Sequence, residues 1–251
     1  MVLAGQYLER SVVVGGLDAL FHRGNREPPC AIAAPHPALG GSMLSPPIAE
    51  LAWALTRAGH PTLRFDYRGV GASRGISRHT AGSLRIAELQ DEVADLLAVC
   101  GHLLETTRMS SACAVGYSFG AAVALEAAQD AGVGSVVLIA PPTAFYRFSA
   151  LAQLRKPLLV VCAHHDAYCD RTALPLPDGA RLEVIAHSDH FFNRGLTELG
   201  KTVASWLRGD RREYVAPEDA PASGTKMVEL DPGEDEPLEL DTDPDSGSGV
   251  Q

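Results

Sequence analysis

No apolar stretch in this chain approaches the roughly 18 uninterrupted residues that a membrane-spanning helix needs. The first residues, MVLAGQYLERSVVV, also lack the basic run, apolar core and small-residue cleavage site of a secretory leader. These absences lead us to expect a soluble, cytoplasmic protein with no membrane partner. Five cysteines, Cys30, Cys100, Cys113, Cys162 and Cys169, are scattered, odd in number and mostly set in apolar runs, which reads as buried reduced thiols rather than a disulfide frame. There is no CxxC and no HExxH. His164 and His165 are adjacent, and in a strand they would point to opposite faces, so no metal and no cofactor is expected. A basic stripe is missing too, which leaves nucleic acid out of the expected partners.

Charge is unevenly spread. The formal net charge is −10, yet twelve of the 31 acids and one of the 21 Lys and Arg residues fall after residue 212, leaving 19 acids against 20 bases before it. Residues 213–251 are dense in proline, glycine and acid with no sustained apolar period. They cannot bury enough surface to offset the entropy of being ordered, so they read as a disordered tail. The tail reads as a solubilising appendage or, alternatively, as a dock for a basic partner through MVEL and PLEL. Residues 1–212, in a chain that is 46% hydrophobic, are enough for one domain with a full core.

Within that domain, RSVVV and LDALFHR flank Gly15 and Gly16, the pattern of an antiparallel hairpin. The character then changes. Short apolar runs at 30–36, 61–66, 111–117, 134–142, 157–166 and 180–187, mostly bounded by glycine or proline, look like strands buried on both faces. Helical patterns occupy 46–59, 83–105, 119–132 and 191–209, the last placing Leu196, Leu199, Val203 and Leu207 on one face. Alternating strands and helices imply an α/β fold: a mostly parallel central sheet, helices on both faces, and an antiparallel N-terminal hairpin.

Two segments fit Gly-x-Ser-x-Gly, GASRG at 71–75 and GYSFG at 116–120. The motif works where a strand feeds the serine into a tight turn that opens a helix. GASRG lies beyond its strand and leads into polar ISRHTAG, whereas GYSFG sits between the apolar SACAV and the helical AAVALEAA. Ser118 is therefore the candidate nucleophile, and the Phe119 amide, at the start of the following helix, is a candidate oxyanion donor.

A serine hydroxyl needs a base, and the base an orienting acid. Only His187 and His190 follow the terminal strand, and His190, in the loop before the last helix, is the better placed. No carboxylate occurs between Asp130 and Asp166. Asp166, at the end of PLLVVCAHHD, is then the first available acid, Asp170 the neighbouring alternative, and Asp189 a cap for the last helix. The second oxyanion donor should lie in HPALGGSM, where Ala38 follows a proline that has no N–H, with Leu39 next.

Together, APHPALGGSM (34–43), FDYRGVGASRG (65–75), GYSFGA (116–121) and SDHFF (188–192) resemble the α/β-hydrolase superfamily, in particular its small, nearly lidless bacterial serine hydrolases. The resemblance runs over roughly residues 10–208. It implies Ser118, Asp166 and His190 as a catalytic triad, and GASRG as a structural loop near the site. Ala34 departs from the pattern, which has a histidine there. About 14 residues separate LIAPP from PLLVV, the place where relatives insert a cap, so a minimal cap is expected. Leu39, Phe145 and Tyr146 are candidate substrate-binding residues, with Phe148 nearby. The implied function is hydrolysis of a small-molecule carboxylic ester or thioester through an acyl-enzyme; the alternatives are acyl transfer on the same triad, or a non-catalytic binding protein that kept the fold.

Overall fold

A computed structural model describes residues 8–77, 79 and 88–209. The expected disordered tail, 213–251, lies outside the described residues. The chain opens with β1 (Arg10–Val14) and β2 (Leu17–His22), an antiparallel pair. Gly15 and Gly16 both take positive φ, +59° and +96°, the left-handed geometry that a two-residue hairpin turn demands at both positions. Then follow β3 (Cys30–Ala33), α1 (Pro46–Arg57), β4 (Thr62–Phe65), α2 (Gln90–Thr107), β5 (Ala112–Tyr117) and α3 (Phe119–Ala127). The last elements are β6 (Val133–Ile139), β7 (Leu158–Ala163), β8 (Arg181–Ile185) and α4 (Leu196–Leu207). One eight-stranded sheet results, in the order β1-β2-β4-β3-β5-β6-β7-β8. From β4 across to β8 every neighbouring pair is parallel.

Alternation along each strand feeds two separate cores. In β3 and β5, Cys30, Ile32, Cys113 and Val115 belong to the core under α1 and α4, while Ala31, Ala33, Ala112 and Ala114 belong to the core under α2 and α3. The small residues on the second side match α3, whose sequence FGAAVALEA is buried everywhere except Glu126. That helix can therefore lie close on the sheet, which brings its N-terminus to the carboxyl edge beside β3. No helix among the described residues is long and apolar enough to cross a membrane.

Three expectations need correcting. Strand β8 is only half-buried along most of its length, because it is the sheet's edge and α4 covers one side of it. The last helix begins at Leu196 rather than 191, with Gly195 in left-handed geometry before it. Helix α2 begins at Gln90, and 83–87 lie outside the described residues. Between β6 and β7 the chain holds one short 3-10 helix, Ser149–Gln153, at the place where a cap would be inserted.

Candidate active site

Ser118 joins β5 directly to α3 with φ 55° and ψ −119°. Positive φ at a residue with a side chain costs on the order of 1–3 kcal/mol and persists only where the surroundings enforce it. Here they do. The Ser118 N–H donates to the Ile139 carbonyl at 2.8 Å, fixing the turn to β6. A Cβ at Gly116 would run into the Gly120 carbonyl, and one at Gly120 into the Ala33 carbonyl, so the sharp turn admits only glycine on both sides. The competing motif serves a different purpose. Ser73 is buried, and its hydroxyl accepts the Asp18 N–H at 2.8 Å while donating to the Asp66 carbonyl at 2.7 Å, stitching its loop to β2 and the end of β4.

The carboxyl edge of the parallel strands gathers the remaining groups, as open α/β sheets do. Ser118 Oγ lies 2.9 Å from His190 Nε2, and His190 Nδ1 lies 2.8 and 2.9 Å from the two oxygens of Asp166. The carboxylate favours one tautomer: Nδ1–H donates to Asp166, which leaves Nε2 to accept a hydrogen bond from the Ser118 hydroxyl. Asp166 Oδ1 also accepts the backbone N–H of Tyr168 at 2.9 Å and of Cys169 at 3.1 Å, so its orientation is set by its own loop. Both His190 and Asp166 are buried. The His190 carbonyl accepts the Tyr117 hydroxyl at 3.0 Å, tying the histidine loop to the residue that precedes the serine.

Asp189 does not cap the last helix. Its Oδ1 accepts the N–H of Phe191 and of Asn193, each at 3.1 Å, and so shapes the turn that presents His190. His187 lies exposed two residues past β8. Asp170 is exposed as well, and accepts the Thr172 N–H and hydroxyl at 2.9 and 2.6 Å. The bond from that hydroxyl is the main reason its carboxyl is held below the usual range. Strand β7 ends at Ala163, so alternation does not separate His164 from His165, and their rings pack 4.4 Å apart.

Of the candidate oxyanion donors, Phe119 is the first residue of α3, where helical N–H groups have no partner within the helix. Across from it, Pro37–Leu39 forms a single 3-10 turn. The Ala38 N–H donates to His36 Nδ1 at 3.2 Å and the Leu39 N–H to the His36 carbonyl at 3.1 Å. Both candidate second donors are thus engaged within the loop itself, the Ala38 bond being the one near the long limit. Met43 anchors the far end. Its N–H donates to Asp66 Oδ1 at 2.7 Å, and its carbonyl accepts from Arg64 at 2.8 Å.

Sequence reasoning missed His36, Arg64 and Asp66. All three face inward from the ends of β3 and β4, and no local signal marks a histidine as a cap. His36 is a neutral acceptor here: burial, reinforced by the neighbouring His79, lowers its pKa from 6.5 to about 4 against an opposing effect of Glu92. A histidine pKa that is depressed on folding contributes stability that is complete above about 6.5 and is lost as the pH falls towards 4. We expect about 3 kcal/mol to disappear over that window, seen as a falling urea midpoint. In His36→Asn, which keeps a capping acceptor but does not titrate, the fall should be shallower.

The rim is aromatic. Tyr168 packs edge-on against His190 with ring centroids 5.0 Å apart and lies 5.5 Å from Phe145, and Phe191 packs edge-on against His190 at 5.5 Å. Phe145, Tyr168, Phe191 and Leu39 are all exposed, Leu39 by 75%. Of the expected pocket residues, Tyr146 is instead buried against Phe119, and Phe148 is buried in the core. Phe145 and Tyr146 also line a groove of about 560 Å³ with Leu89, Val93, Ala122 and Leu125, between α2 and α3.

The fold has counterparts among solved structures. The chain superposes on an alpha-beta serine hydrolase homologue from Coxiella burnetii with a TM-score of 0.68 and 27% identity, covering 80% of this chain and all of that one. A serine hydrolase without a lid from Xanthomonas campestris gives a TM-score of 0.67 and 26% identity, over 80% and 94% of the two chains. The family model described as serine aminopeptidase, S33, matches residues 40–147.

The chain has the α/β-hydrolase fold and resembles the serine hydrolases of that superfamily. A search of curated proteins found no match. A putative α/β hydrolase from Agrobacterium tumefaciens shares the fold, with a TM-score of 0.67 at 23% identity over 80% of this chain and 95% of that one. The matched segment 40–147 holds the end of the loop after β3, the Ser118 elbow and the start of the aromatic rim. Asp166 and His190 lie beyond it.

Proposed function

We propose that the protein is a serine hydrolase of carboxylic esters or thioesters that works through an acyl-enzyme. One observation carries this reading: Ser118 Oγ, on a left-handed elbow, lies 2.9 Å from an imidazole nitrogen whose ring is fixed from behind by a buried carboxylate. In this reading Ser118 Oγ attacks the substrate carbonyl as His190 Nε2 takes its proton. The tetrahedral oxyanion is held by the Phe119 N–H at the helix terminus. It is held also by Ala38, whose N–H leaves the weak bond to His36 as charge develops. His190 then returns the proton to the leaving alcohol or thiol. Water, deprotonated by the same nitrogen, releases the acid. The buried Asp166 stabilises the imidazolium in both halves through its bonds to Nδ1.

The rim suggests the kind of group handled. Phe145, Tyr168 and Phe191 offer an apolar surface around His190, and only a 3-10 turn occupies the cap position. A long acyl chain would gain little beyond that rim. Across p-nitrophenyl esters and acyl-CoA thioesters of graded length, kcat/KM should peak at short acyl chains, with a burst of p-nitrophenol equal to the enzyme concentration where deacylation limits. A panel with no turnover on any ester or thioester would rule this reading out and favour a binding role. Product formed only when an alcohol or amine acceptor is added would favour acyl transfer.

A further inference from the structure

The loop that carries Asp166 is closed at its base by two sulfurs. Cys162 lies near the end of β7 and is buried, and Cys169 is half-buried seven residues later. Their Sγ atoms are 3.5 Å apart, within S–H···S hydrogen-bond range and not joined covalently. Between them the chain turns around the Asp166 carboxylate, which accepts the Cys169 N–H at 3.1 Å. Neither thiol has a part in the proposed chemistry. Together they bracket the residue that orients the base.

We propose that Cys162 and Cys169 form a reversible disulfide that closes the Asp166 loop and lowers the activity of the site. A disulfide has an S–S distance of about 2.05 Å, so the sulfurs need to approach by only about 1.5 Å. The oxidant is a small peroxide. The thiolate of half-buried Cys169 attacks one peroxide oxygen, giving a sulfenic acid and releasing hydroxide. The Cys162 sulfur then displaces the sulfenic oxygen as water. Two thiols and one hydrogen peroxide become one disulfide and two waters.

The hydrogen bond to Cys162 and then burial push Cys169 well above the usual thiol range, so the reaction is slow at neutral pH and should quicken with alkali. The other close pair is different. Cys30 and Cys113 face each other on β3 and β5 and are fully buried, out of reach of an oxidant.

The effect on the site follows from which cysteine can move. Cys162 is held in β7 between β6 and β8, so closure displaces Cys169 and draws its N–H off Asp166 Oδ1. The carboxylate loses one of its two backbone donors and turns relative to His190. This consequence, unlike the bond itself, rests on the proposed roles of Ser118, His190 and Asp166. A shift of the order of 1 Å behind a catalytic group costs up to about a hundredfold.

The full-length protein, treated with hydrogen peroxide at pH 8.5 and trapped with N-ethylmaleimide under denaturing conditions, tests both parts. We expect a 2 Da loss, two of the five thiols blocked, and a peptide linking Cys162 to Cys169. The rate of fluorophosphonate labelling should fall about tenfold or more and recover with dithiothreitol. Cys169→Ser should show no such mass loss. Five alkylatable thiols after treatment, irreversible sulfinic acid, or a bond to another cysteine would overturn the site. A formed 162–169 bond with an unchanged labelling rate would overturn the switch. A protein that forms the bond but never labels in its reduced state would overturn the switch through the proposed triad, while leaving the disulfide in place.

Discussion

Replacing His190 with alanine is expected to lower kcat on the best ester substrate by about 10⁶, leaving a residue of rate supplied by the oxyanion donors and binding. The size follows from the hydroxyl's isolation. Ser118 Oγ has its proton acceptor at 2.9 Å in His190 Nε2, and without that acceptor it must lose a proton with an ordinary alcohol's reluctance. KM should change little, since the ring touches the reacting atoms rather than the bulk of the substrate. Steady-state kinetics of the variant, compared with the wild type at the same pH, check this. A loss below about tenfold would mean that another base serves the serine.

Asp166→Asn should cost about 10⁴ in kcat while leaving the fold intact. An asparagine amide turned towards His190 Nδ1 donates where the carboxylate accepted. That forces the proton onto Nε2, the nitrogen that must receive the serine's. The backbone N–H bonds from Tyr168 and Cys169 can still be met by the amide oxygen, so the loop should keep its shape. The matched control is Asp170→Asn. That carboxylate is engaged with Thr172 at the surface, and its replacement should change kcat by less than about threefold. If instead Asp170 carries the larger effect, the acid has been misassigned.

Much of the architecture was legible because the buried strands are short apolar runs closed off by glycine or proline, and because helices alternate with them. Position along that order singled out Ser118 over Ser73. The first sits between a strand and a small-residue helix, the second past its strand in polar sequence. Burial of Ser73 between Asp18 and Asp66 shows why a motif match alone misleads: its glycines serve a loop, and its hydroxyl is spent on two backbone groups.

What was not legible depends on contacts between residues far apart in sequence. Met43 meets Arg64 and Asp66 only once β3 and β4 lie side by side, so the anchoring of the loop after β3 leaves no local pattern. His36 looks like any histidine until burial makes it a neutral acceptor. Tyr168 and Phe191 sit close to Asp166 and His190 in sequence but have no periodicity to mark them. Phe145 and Tyr146 are neighbours that the chain sends to opposite fates, one to the rim and one to the core. The half-exposure of β8 follows from its place at the edge, and Arg181 and Glu183 alternating with Leu182 and Val184 are its trace in the sequence.

The most direct test of the central claim is a covalent one. Intact-mass analysis after incubation with a fluorophosphonate should give a single adduct on the wild-type chain, mapped by digestion to Ser118, and none on Ser118→Ala. An unlabelled wild type, or equal labelling of the alanine variant, would contradict the assignment of Ser118 as the nucleophile.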